Sequence, residues 1–142
     1  MKSVHVAAII VAVVIGVAFL FAATYVVYMY LISPRGYGIA EIEFESTRLW
    51  PVIKIIIENN KSATMTVVAV FVNGSEVTND PYPYLYPKLP VTIQPNTRVT
   101  LQIENFRWNW STLGTRYAYN ITLVTEDGTI FTKIKRAPDA PL

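Results

Sequence analysis

The chain changes character once along its length. From Ser3 to Pro34 there is no Lys, Arg, Asp or Glu, and the apolar run from Val4 to Ile32 is interrupted only by His5, Gly16, Thr24, three tyrosines and small residues. Roughly 20 apolar residues cross a bilayer core of about 30 Å. As a helix at about 1.5 Å per residue, this run would extend about 43 Å. The surplus can tilt, run through the interface or be shared with neighbouring helices. Many of its residues are β-branched, which disfavours a helix in water, but in lipid a single segment must satisfy its own backbone and the helix is the simple solution. Tyr25, Tyr28 and Tyr30 gather at one end, where an aromatic belt would sit. Pro34 and Gly36 stop the helix, so residues 1–34 are predicted as one hydrophobic helix. Residues 35–38 are predicted as a hinge in which Pro34, Gly36 and Gly38 set the angle between the helix and the rest of the chain.

Two other readings compete for this segment. A core helix apolar on every side would need a much larger protein around it. A signal peptide has an apolar region of about 7–15 residues and a small-residue cleavage site; this run is longer, and Ala22-Ala23 is where such a cut would fall. Lys2 before the helix and Arg35 after it cancel as orientation signals.

Beyond Gly38 the pattern becomes short alternating stretches, the signature of half-buried strands. Ala40, Ile42 and Phe44 oppose Glu41, Glu43 and Glu45; Ile53, Ile55 and Ile57 oppose Val52, Lys54 and Ile56. Thr64 to Val72 is a long apolar strand expected to be central, and Asn73-Gly74 is a two-residue hairpin signal. Asn79 to Pro95 holds five prolines and three tyrosines, which predicts an extended loop with at most a short edge strand at Val91 to Ile93. Thr97 to Asn105 and Arg116 to Thr125 alternate again, and Glu126-Asp127-Gly128 turns the chain into Thr129 to Lys135. About seven strands, with short turns and no second helix, predict a mainly β domain over residues 39–137. The expected fold is an immunoglobulin-like antiparallel β-sandwich, followed by a tail over 138–142. A small barrel is the alternative.

Composition narrows the chemistry. Eleven Lys and Arg against ten Asp and Glu from Arg35 onward give no basis for a nucleic-acid partner. The absence of cysteine excludes disulfides, a thiol nucleophile and Cys-ligated metals. His5 is the sole histidine, so neither a His-based metal centre nor a catalytic triad can be assembled. No carboxylate pair, calcium loop or phosphate loop stands out, and neither enzyme activity nor a cofactor is expected. The N-x-S/T pattern occurs at Asn60, Asn73, Asn109 and Asn120 among the domain's eight asparagines. These positions fall at predicted turns, loops or a polar strand side, where a glycan is tolerated. Occupancy of any of them would place the domain outside the cytoplasm. Tyr82, Tyr84, Tyr86, Trp108 and Trp110 lie in loops and are candidates for surface contact.

The layout of an uncharged helix from Val4 to Ile32 followed by a single β-domain from Ile39 to about Lys135 resembles archaeal type IV pilin-like proteins, a class that includes adhesion pilins, archaellins and minor archaellum components. The stretch from Tyr119 to Phe131, with Val124-Thr125 running into the Gly128 turn and Phe131 beyond, is similar to the closing hairpin of such domains. Abundant sequons also fit. The resemblance implies a membrane-anchored subunit whose helix leaves the lipid and packs with copies of itself in a filament core, with β-domains outside. Small residues such as Ala7, Ala8, Ala12, Gly16, Ala22 and Ala23 would then shape the helix contacts. Members of the class carry a charged leader ending in Gly or Ala; Met1, Lys2 and Ser3 do not show that pattern. His5 stands near the place where bacterial pilins put a Glu, and that role is not transferred to it. The competing expectation is a membrane-anchored extracellular binding module that contacts a surface layer, another cell or partner proteins through the tyrosine and tryptophan loops.

Overall fold

A computed structural model of the chain describes residues 2–32, 35–46, 51–78, 84–104, 106 and 117–139. The chain divides into two units, Met1–Ser33 and Pro34–Leu142. The first is one helix, α1 (Lys2–Ile32). Its charge-free stretch Ser3–Met29 is long and apolar enough to cross a membrane, a property shared by anchors and signal sequences.

The second unit is all β. Its strands are β1 (Tyr37–Ser46), β2 (Pro51–Asn59), β3 (Met65–Val72), β4 (Ser75–Glu76), β5 (Tyr84–Tyr86), β6 (Val91–Ile93), β7 (Thr97–Glu104), β8 (Ala118–Thr125) and β9 (Ile130–Arg136). They form two antiparallel sheets, one ordered β1-β2-β7-β5 and the other β4-β3-β8-β9, with β6 also paired to β3. Lettered in chain order without β4 and β6, the sheets read A-B-E-D and C-F-G, the arrangement of constant-type immunoglobulin sandwiches. Seven strands therefore frame the sandwich, and β4 and β6 are short additions beside β3, the latter at the expected Val91 to Ile93.

The core results from the alternation. Ile53, Ile55 and Ile57 of β2, Leu101 and Ile103 of β7, Val67 and Val70 of β3, and Ile121 and Leu123 of β8 are fully buried in one cluster spanning both sheets. β-branched side chains suit the pleat, and each fully buried one contributes about 1.5–3 kcal/mol. Where antibody domains bridge their sheets with a disulfide, this cysteine-free chain packs aliphatic side chains from β2 and β8. Asn73 and Gly74 both take positive φ, 49° and 81°, as a two-residue hairpin of the expected kind requires.

Two strand assignments differ from expectation. Tyr84–Tyr86 lies in the segment expected to be loop, yet it forms β5 and pairs with β7 through Tyr84–Glu104 and Tyr86–Gln102. Its place at the sheet edge needs few ladder donors, so neighbouring prolines do not prevent it. The expected hinge also overlaps the first strand. Gly38 is the second residue of β1, opposite Glu58, and Gly36 continues that pairing by accepting the Asn60 N–H at 3.1 Å. Both glycines belong to the β unit, while Pro34 lies outside the described residues.

Candidate functional site

Three places carry the candidate residues: the surface of α1, the start of β1, and the two outer faces of the sandwich with their turns.

On α1, the described side chains from Ser3 to Met29 are all exposed. Apolar residues surround the whole helix, so no face is prepared for water. Ala8, Ala12, Gly16, Ala22 and Ala23 fall on one side at about 100° per residue, interleaved with Ile15 and Phe19. A Cβ added at Gly16 would meet nothing within 4 Å, so the helix itself imposes no need for glycine there. Thr24 returns its hydroxyl to the Leu20 carbonyl at 2.8 Å, satisfying its polar group within the helix. His5 is exposed at the start of the same helix.

The start of β1 is held by polar and aromatic contacts. Glu58 is only 6% exposed. One carboxylate oxygen accepts the Gly36 N–H at 2.9 Å, and the other pairs with Arg98. The Asn60 amide reaches the Arg35 carbonyl at 3.5 Å. Lys61 Nζ lies 4.1 Å above the Tyr37 ring, and Tyr37 meets Phe131 edge-on with ring centres 5.1 Å apart. Gly38 has φ 113° and lies directly beneath Phe131. Beyond it, the register of β1 slips between Ile39 and Glu41, and Lys133 of β9 donates to the Ala40 carbonyl at that bulge. An inward-turned lysine and a bulge are devices that stop an edge from pairing with another strand.

The turns are fastened locally. Asn59 is fully buried; its Nδ2 donates to the carbonyls of Ala63 at 2.8 Å and Ile93 at 3.1 Å, and its Oδ1 accepts the Lys61 N–H at 3.1 Å. Asp127 accepts from the Thr125 hydroxyl and from the Thr129 N–H at 3.0 Å. Its carboxyl is held below the ordinary value first by the Thr125 hydroxyl, then by Thr129.

The sequons separate by accessibility. Asn60 and Asn73 are exposed in turns. Asn120 is half-buried on β8, and its Oδ1 has no hydrogen-bond partner. Two of the sequons meet: the Asn73 N–H donates to the Asn120 carbonyl, and the Asn120 N–H donates to Asn73 Oδ1, each at 2.8 Å. Asn109, Tyr82, Trp108 and Trp110 lie outside the described residues. Tyr84 and Tyr86 are exposed on the β5 edge, at 39% and 55%.

The two outer faces differ in charge. On the β1-β2-β7-β5 sheet, Glu41, Glu43, Glu45 and Glu104 share the outer surface with Lys54, by register and exposure. Lys54 pairs with Glu45, whose hydrogen bond is the main cause of its raised pKa. Sequence reasoning missed the Glu58–Arg98 pair, the Gly38–Phe131 contact and the outward aim of Ile130 and Ile134. The alternation of β9 signalled two faces without saying which was inner.

A polar hollow of about 330 Å³ lies among Tyr37, Thr64, Met65, Thr66, Thr125, Glu126 and Asp127. Another of about 420 Å³ lies beside Arg35, Glu41, Glu58 and Arg98. Among the described residues, no three His, Cys, Asp or Glu side chains gather as a metal site would require. In sequence comparison no protein family's profile matches the chain, and no curated protein matches it either.

Proposed function

We propose that this chain is a structural subunit of an extracellular filament of the pilin-like kind, held in the membrane by α1 before assembly and packed through α1 with copies of itself afterwards. The observation that carries the reading is the character of α1: uncharged from Ser3 to Met29 and exposed along that whole stretch. At about 1.5 Å per residue its 31 residues extend about 46 Å, beyond the roughly 30 Å that a single crossing needs. Exchanging lipid for similar apolar helices costs such a segment little, and interleaved small and large side chains allow close approach. The sandwich has its own core and supplies the water-facing part, with Asn60 and Asn73 as its accessible glycan acceptors.

Electron microscopy of material sheared from the cell surface tests this directly. Filaments containing the chain are expected; recovery only as small detergent-soluble particles would refute it. Gly16→Leu gives a finer test, since it should reduce filament yield while leaving membrane insertion intact. Equal yields from the variant and the parent would contradict helix packing in the core.

A second reading, a membrane-anchored binding module displayed outside the cell, draws on the exposure of Tyr84 and Tyr86 at a sheet edge. It predicts that Tyr84→Ala with Tyr86→Ala abolishes attachment to a surface layer or partner protein without affecting assembly.

A further inference from the structure

The outer face of the β4-β3-β8-β9 sheet is uncharged at its centre, where the Thr122 and Thr132 hydroxyls hydrogen-bond to each other at 3.1 Å between two exposed isoleucines. Its register sets Ile130 beside Val124, Thr132 beside Thr122 and Ile134 beside Asn120. Ile130 and Ile134 are 64% and 65% exposed, more than any other large hydrophobic side chain described in the β unit. The charged residues described there stand at the rim: Glu76 on β4 and Arg136, which pairs with Asp139.

We propose that this face is where the β-domains of two copies of the chain meet, once their helices have been gathered; the inference rests on the helix-assembly reading above. Charge selects the occupant. The opposite sheet presents Glu41, Glu43, Glu45 and Glu104 against Lys54 and repels its own kind, whereas the Ile130–Ile134 face carries no central charge to oppose a copy of itself. Pairing along the β1 and β9 edges is not the route, because Lys133 and the Ala40 bulge occupy them. The contact is therefore face to face between neighbouring copies.

Area explains why the helix is needed. Three strands about 4.8 Å apart and about seven residues long offer roughly 350 Å² per copy, or roughly 700 Å² in all. Stable independent dimers bury about 1,200–2,000 Å². Tethering the copies through α1 raises their effective concentration to the order of millimolar, enough for a weak face to pair. Asn120 lies within the face, and a glycan there would cover Ile134, so the pairing requires Asn120 to be unmodified.

The cysteine-free chain suits a crosslinking test on the full-length protein in its membranes or filaments. Single variants Thr132→Cys and Ile134→Cys probe the face, Glu43→Cys and Gln102→Cys probe the opposite sheet, and Ala12→Cys reports helix gathering. With a short bis-maleimide, dimers from the first pair should form at least about tenfold faster than from the second, because tethering acts on both sheets alike and only the paired face holds its cysteines together. Adding Ile134→Lys to Thr132→Cys should remove that advantage. Crosslinks at Ala12→Cys with equal rates on both sheets would overturn the face pairing and leave helix assembly standing. Crosslinks at neither helix nor face would overturn both. Face crosslinks without helix crosslinks would also overturn the proposal, because the face would then be pairing without the tether it is argued to need. A glycan found on Asn120 by mass spectrometry would overturn the face pairing outright.

Discussion

Gly38 offers a sharp test of how the chain enters its β-domain, because a hinge glycine and a pinned glycine respond oppositely to alanine. At a hinge, Gly38→Ala would be nearly silent. In the structure, a Cβ at Gly38 would overlap Cδ1 of Phe131 and lie 2.9 Å from its Cε1. The residue also holds φ 113°, a region that costs an L side chain about 1–3 kcal/mol. Crowding against a packed ring adds about 1–3 kcal/mol. The total is about 2–6 kcal/mol, and at about 4–8 °C per kcal/mol for a domain near this size the melting temperature should fall by at least about 8 °C. The assay is thermal unfolding of the detergent-solubilised chain, followed by the β signal in circular dichroism. Phe131→Leu separates the two causes: with the ring gone, the crowding part of the Gly38→Ala penalty should vanish and the backbone part remain. The double variant should therefore be less destabilised than the sum of the single ones by about 1–3 kcal/mol. A Gly38→Ala loss within about 0.5 kcal/mol of zero, or strict additivity with Phe131→Leu, would refute the reasoning.

The polar groups of the β unit carry three further expected outcomes. Asn59→Ala strands the Ala63 and Ile93 carbonyls and should cost about 2–4 kcal/mol, read as a lowered urea midpoint with unchanged slope. Glu58→Ala frees the Gly36 N–H and Arg98. Because Arg98 is 40% exposed and stays partly hydrated, the loss should be about 1.5–3 kcal/mol, less than for a fully buried pair. The Asp127 carboxyl is held below its ordinary value near 3.8, chiefly by the Thr125 hydroxyl. Its contribution is therefore complete above the unfolded value and lost as pH falls through the lower folded one. The stability gap between parent and Asp127→Asn, measured by urea unfolding, should be constant near neutral pH and close in acid; a gap unchanged in acid would contradict this.

What could be read in advance depended on whether a residue's role is local. The α1 assignment rests on an unbroken absence of charge, and β2 on three isoleucines at every second position; both are properties of the segment itself. Asn73-Gly74 was legible because few residues accept positive φ at two successive positions. The face of β9 was not legible. Alternation gives a period but no direction, and a simple reading of Ile130 and Ile134 puts them inside. They point outward because Phe131 is needed over Gly38 and Lys133 at the Ala40 carbonyl, contacts set by a strand about ninety residues earlier in the chain. β5 was hidden for a related reason: prolines on both sides exclude an inner strand but permit a three-residue edge. Gly38 looked like a hinge because a flexible joint and a close approach both call for glycine, and only the Phe131 ring decides between them.

In the proposed filament the two units would divide the work of assembly. The sandwich is stabilised by its own core, so changes at Gly38, Asn59 or Glu58 should lower its melting temperature without altering how helices associate. Conversely, Gly16→Leu should alter association and leave the β melting curve unchanged. A strongly adhesive β face would bring copies together before their helices met, and such early contacts favour aggregation. A face of roughly 700 Å² in all is too small to act alone, yet sufficient among tethered copies. Strengthening it is therefore the instructive perturbation. Replacing Thr132 with Leu removes its hydroxyl pair with Thr122 and joins Ile130 and Ile134 into one apolar strip, and the expected result is premature association of the chain in detergent, with fewer ordered filaments instead of more. Improved filament yield with no increase in detergent-phase association would show that weakness of the face is incidental to assembly.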